Sequence, residues 1–148
     1  AKLPKSPSIF TEEFGAFPEI ADPNGLLQKW QRIREVRSEI TKAIEVEREA
    51  GKIGSSLQAE LSIGLGSSDF TLLSSLGSDL RFVTITSKAD IFQSNSNAIT
   101  ITVKPSVAPK CARCWHHTND VGSHAEHPDI CGRCVSNLYG DGERRQFV

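Results

Sequence analysis

The 148-residue sequence has no methionine at all, a single tyrosine, and a net charge of -1 from 17 Lys and Arg against 18 Asp and Glu. Each scarcity excludes something. Balanced charge excludes a polycation that grips nucleic acid by bulk electrostatics, so any such contact must be local. No run approaches the roughly 18 apolar residues of a membrane span, and the opening AKLPKSPSIF lacks the apolar core of a signal peptide. A soluble, cytoplasmic chain with no membrane partner is expected. The missing methionine extends to position 1. Either an initiator has been removed or the chain is part of something longer, and its connector-like opening favours the second. With 38% hydrophobic and 24% charged residues, wholesale disorder is also excluded. The length suits one ordinary domain or two small ones.

Residues 1–25 hold four of the seven prolines, Pro4, Pro7, Pro18 and Pro23. They read as an extended connector in which Phe10, Phe14 and Phe17 are scattered anchors. From about Leu26 to Ala50, Leu26, Trp30, Ile33, Arg37, Ile40 and Ile44 recur on one helical face. Asn24 is the expected N-cap and Gly51 the left-handed residue past the C-terminus. Arg37 is the one charge in that stripe, either a snorkelling side chain or an interface or phosphate contact. Beyond it, Ala59–Leu65 reads as a strand, and Ser68 or Asp69 caps a short helix over FTLLSSL. The β-branched runs Leu80–Thr86 and Ala98–Val103 read as further strands, with a polar turn at Ser94–Asn97. The expected fold is α+β, a long amphipathic helix against a small sheet and short helix. After Pro105 and Pro109 the chain changes character, which divides it into a connector (1–25), a helix plus α+β unit (26–108) and a tail (109–148).

All four cysteines lie in that tail, as Cys111-Ala-Arg-Cys114 and Cys131-Gly-Arg-Cys134 with 16 residues between the pairs. This is the spacing of a tetrahedral zinc site, in which each C-x2-C turn aims two thiolates at one point. A segment of about 40 residues buries too little surface to fold alone, so the metal supplies the missing stability. Disulfides would suit a secreted chain, and a redox C-x-x-C would not be duplicated. A rubredoxin-type iron site usually carries glycine after its second cysteine, where Trp115 and Val135 stand here. Four thiolates close the shell, so a single zinc-ribbon-like module with one structural Zn2+ per chain is expected.

All four histidines, His116, His117, His124 and His127, share the tail, but two matched cysteine pairs leave no place for them as ligands. Trp115 with His116 and His117 forms a cluster that either covers the small core or stacks on bases. From Lys110 onward, Lys110, Arg113, Arg133, Arg144 and Arg145 balance five carboxylates, and a zinc tetrathiolate adds two further negative charges. RNA binding by this module would therefore need placed arginines and stacking on unpaired bases.

The tail KCARCWHHTNDVG…HPDICGRCVSNL closely resembles the C-terminal zinc-binding segment of bacterial isoleucyl-tRNA synthetases. TKAIE at 41–45, IGSSLQAE at 53–60 and LRFVTITS at 80–87 resemble the end of that family's anticodon-binding region and the small α+β segment after it. The resemblance implies a parent enzyme that uses ATP to join isoleucine to tRNA(Ile). None of that catalysis can reside here, because the family's HIGH and KMSKS signatures are absent, the second being impossible without methionine. It implies a non-catalytic, monomeric piece that helps dock tRNA on the anticodon side and works beside the remaining domains of the parent synthetase. By position, Cys111, Cys114, Cys131 and Cys134 match the family's zinc ligands. Arg113, Trp115, His116 and Arg133, with Arg144, Arg145 and Arg37, are the candidate tRNA contacts. The alternative is a zinc-stabilised clamp that packs on the parent's helical domain and never touches RNA.

Overall fold

A computed structural model describes residues 18–143 together with Ser8, Phe10, Gly15 and Ala16. The expected anchors Phe14 and Phe17, and the candidate contacts Arg144 and Arg145, lie outside the described residues. Phe10 is exposed.

Helix α1 runs Pro23–Glu49 and is capped by Asp22 rather than Asn24. Pro23 takes the first helical position, where an N–H is not needed, so Asn24 already lies inside the first turn. The Asp22 carboxylate then accepts the Gly25 N–H at 2.9 Å. At the other end Gly51 adopts φ +71°. Its N–H reaches the Arg48 carbonyl and the Lys52 N–H reaches Glu47, closing the helix in a Schellman turn. The buried face is Ile33, Val36, Ile40 and Ile44, while Leu26, expected on it, is largely exposed. Arg37 is half-buried, and its Nε donates to the Val83 carbonyl at 2.7 Å.

Strand β1 occupies Ala59–Leu65 as expected. Helix α2 covers Ser67–Ser74 with Gly66 at its N-cap. Asp69 is not the cap; its carboxylate turns to α1 and takes both arms of the Arg32 guanidinium, at 2.8 and 2.7 Å. The expected strand over Leu80–Thr86 is instead helix α3, Leu80–Thr84. Its β-branched residues serve helical geometry: Thr84 Oγ1 donates back to the Leu80 carbonyl at 3.0 Å, and Ile85 stops the turn at φ +56°. The strand comes next, β2 at Lys88–Gln93, a charged stretch that the sequence reading passed over. Strand β3, Thr100–Pro105, starts two residues later than expected.

The sheet order is β2-β1-β3. β2 runs parallel to β1 and β3 antiparallel to it, so α2 and α3 form the crossover that a parallel pair requires. The buried residues of α1 join Leu61, Ile63, Leu65, Leu73, Leu76 and Leu80 in one core on one side of the sheet. The other side is open and polar, with Ser62, Lys88, Asp90 and Thr102 exposed. There Phe92, 49% exposed, lies across Gly64, whose missing Cβ would meet its ring carbons at 2.8 and 2.9 Å. Among the described residues no helix is long and apolar enough to cross a membrane.

Candidate metal centre

The two cysteine pairs are presented by different local structures. Cys111–Cys114 forms a tight knuckle: Trp115 donates its N–H to the Cys111 carbonyl at 3.0 Å, and Cys111 its own to His116 at 2.9 Å. Closing that turn puts Trp115 at φ +66°, a region that costs a non-glycine residue roughly 1–2 kcal/mol. Among the described residues, the one pairing resembling a ribbon in this segment is an isolated antiparallel bridge, Lys110 to His117. The second pair opens a helix, α4, Gly132–Tyr139, with Cys131 at its N-cap. Cys134 follows one turn later on the same side. Asp120 holds that helix start in place by accepting the Gly132 N–H at 2.9 Å and the Thr118 hydroxyl at 2.6 Å.

The four sulfurs converge, all within 4.8 Å of one another. Cys111–Cys134 and Cys114–Cys131 are each separated by 3.7 Å. A tetrahedron with zinc–sulfur bonds of about 2.3 Å has edges of about 3.8 Å, so the cage has the dimensions of a zinc site. A disulfide would need about 2.05 Å, and all four cysteines are free thiols. Cys111, Cys131 and Cys134 are buried and Cys114 partly so, leaving no open coordination position. Burial pushes the Cys111 thiol up. The backbone N–H groups of Cys114, Cys131 and Arg113 outweigh that and hold it at about 6. Desolvation wins at Cys131, which is pushed up to about 12. Four thiolates this close repel one another, and a divalent cation removes the conflict. The donor set, all thiolate and closed, suits a structural Zn2+.

Around this cage the structure places the candidate contacts unequally. Trp115 is 59% exposed, with the Lys110 ammonium 5.3 Å from its ring centroid, so it does not cover the core. Arg113 reaches inward, its Nη1 3.6 Å from Cys134 Sγ. Arg133 is mostly buried, pairs with Glu143 at 2.9 Å and sits over the Phe82 ring at 5.0 Å. His116 meets the same ring edge-on at 5.5 Å. His117 aims Nδ1 at the Ala108 carbonyl, and His127 stacks on Tyr139 with centroids 4.0 Å apart. Arg37 stands apart from the module, bonded to α3.

Phe82, on α3, went unremarked because the run around it read as a strand. It carries the cysteine segment's contact with the α+β unit: Arg81, Arg133 and His116 all gather on its ring. Ser87 adds a second tie. Its Oγ accepts the His117 N–H at 2.6 Å and donates to the Leu57 carbonyl.

Comparison with known proteins agrees with this geometry. Residues 109–137 match a family described as a zinc finger found in FPG and IleRS. Isoleucine–tRNA ligase 1 of Burkholderia mallei is 48% identical over 143 residues, 96% of this chain and 15% of that protein. The isoleucine–tRNA ligase of Cupriavidus taiwanensis is 50% identical over 142 residues, 95% of this chain and 15% of that protein. That of Bordetella petrii is 50% identical over 138 residues, 93% and 14% respectively. The chain thus spans about one seventh of the length of the curated relatives it matches. The resemblance to the C-terminal region of isoleucine–tRNA ligases holds along nearly the whole chain.

Proposed function

We propose that this chain is a non-catalytic, tRNA-docking and structural part of an isoleucine–tRNA ligase acting in the cytoplasm. In this reading Cys111, Cys114, Cys131 and Cys134 hold the zinc in a module spanning 109–148, carried by the helix and sheet of 26–108. The metal supplies structure alone. It holds the knuckle and the start of α4 together, and the chain's own residues do the recognising. The isoleucine chemistry, its ATP and the tRNA(Ile) substrate belong to the parent enzyme.

Trp115 is the observation that carries the reading. A large aromatic ring, held out in solvent by a strained turn beside a lysine, is a stacking face for an unpaired base. A mere core residue would turn in. The test is binding of the zinc-loaded and chelator-stripped chain to tRNA(Ile) across a salt series, beside a tRNA of different anticodon. Zinc-dependent, salt-sensitive and selective binding supports docking. Absence of binding with zinc still present at one per chain would sink it.

A second reading, an intramolecular clamp, has its own support in the contacts of Phe82 with Arg133 and His116 and of Ser87 with His117. They commit the module's inner side to protein. Salt-independent function in the parent enzyme, with Trp115 dispensable, would favour it.

A further inference from the structure

We propose that Arg113 and Arg133 are charge-compensating residues of the metal centre, neutralising the zinc tetrathiolate and quenching its sulfur nucleophilicity, and so are withdrawn from any phosphate. The inference rests on the zinc reading above. A divalent ion held by four thiolates carries two net negative charges, and a half-buried charge of that size is costly unless paired. Two guanidiniums, one from each C-x2-C turn, stand beside it. Arg113 points Nη1 at Cys134 Sγ, 3.6 Å away, so the first turn's arginine serves a cysteine of the second. Arg133 does the converse. It lines a cleft of about 40 Å³ together with Cys114 and Cys131. This crossed arrangement explains why an arginine immediately precedes the second cysteine of both pairs. Backbone donors complete the set, as in the Cys131 N–H at 3.4 Å from Cys111 Sγ. Arg133 also spans outward to Phe82 and Glu143, tying the centre's charge balance to its seat on α3.

The test is the alkylation rate of the zinc-loaded chain by neutral iodoacetamide and by anionic iodoacetate. Alkylation joins the acetamide or acetate carbon to a thiolate sulfur and releases iodide, so it reports both nucleophilicity and local charge. Zinc content is measured alongside. Arg113→Gln and Arg133→Gln should each speed iodoacetamide and raise the iodoacetamide-to-iodoacetate rate ratio about threefold. That is the effect of one unit charge at about 6 Å in water. Added salt should shrink the difference. Arg113→Lys should keep the wild-type ratio. Loosening of the fold alone would speed both reagents equally, and that result, or an unchanged ratio, overturns the proposal while zinc remains bound. If Arg133→Gln does not fold, the exposed Arg113→Gln decides alone. A chain that binds no zinc overturns the inference together with the zinc reading, whereas zinc with an unmoved ratio overturns the inference only.

Discussion

Replacing Asp69 by asparagine isolates the tie between α1 and α2. The Asp69 carboxylate is 8% exposed and takes both arms of the Arg32 fork, at 2.8 and 2.7 Å. Hydrogen bonds to charged groups contribute about 1.5–3 kcal/mol when buried. Arg32 is 44% exposed and also pairs with Glu35 at 2.8 Å, so water screens the pair and the guanidinium keeps a partner. A loss of about 1–2 kcal/mol at pH 7 follows, or roughly 3–8 °C in Tm at this chain length. The pH dependence gives the sharper test. The Arg32 hydrogen bonds outweigh desolvation and hold Asp69 below its ordinary value. A group depressed in the folded state stabilises above its unfolded pKa of about 3.9, and that stability is lost as pH falls through the lower folded value. Urea unfolding of both proteins, followed by far-UV circular dichroism from pH 7 down to pH 3, should show a gap that narrows below about pH 4. Acid release of zinc affects both proteins alike and cancels in the difference. Equal stability at pH 7, or a gap undiminished at pH 3, would refute the reasoning.

Chelation of the metal should abolish hydrogen-exchange protection at Cys111 and Val135 while the amides of α1 and β1 keep theirs; global unfolding would contradict the separation of the two cores. Gly64→Ala should destabilise by about 1–3 kcal/mol, because its Cβ meets Phe92 and the Thr100 hydroxyl, and Phe92→Ala should recover part of that loss in a double-mutant cycle. Trp115→Gly should raise the Tm of the zinc-loaded chain by roughly 3–8 °C through relief of its left-handed backbone. The same change should weaken tRNA binding roughly 5- to 150-fold if the ring stacks on one base; unchanged affinity would leave Trp115 without that role.

The sequence discloses what is local and hides what is tertiary. Periodicity revealed α1 because a helix of 27 residues repeats its face many times, and Gly51 marked its end because a Schellman turn demands φ > 0. The cysteine spacing disclosed the metal cage before any coordinates did. Leu80–Thr86 misled because β-branched residues favour strands only where a pleated partner awaits them. Here the parallel pairing of β1 with β2 needed a crossover first, and Thr84 satisfied a helical carbonyl instead. Lys88–Gln93 looked unlike a strand because it is an edge. Only Ala89 and Ile91 face inward, and Lys88 and Asp90 pair across the solvent side at 2.6 Å. Arg113 and Arg133 were legible as residues but not in direction. Nothing in C-x-R-C says that an arginine turns toward the sulfur of the other pair.

The contacts that support the clamp reading and the exposed ring that supports docking involve different residues. The inner face is spent on protein: Arg133 and His116 on Phe82, and His117 on Ser87. Trp115 at the knuckle is 59% exposed, with the Lys110 ammonium over its ring. Its backbone is held left-handed by a turn whose ends are a metal-ligating cysteine and a histidine docked against α3. A stacking residue loses affinity to whatever freedom it must give up on binding, and a backbone closed in a hydrogen-bonded turn leaves Trp115 less to give up. Under the docking reading, then, these inner contacts serve to position Trp115. Cutting the seat with Phe82→Ala should weaken RNA binding through Trp115, because the Phe82 ring holds Arg133 and His116.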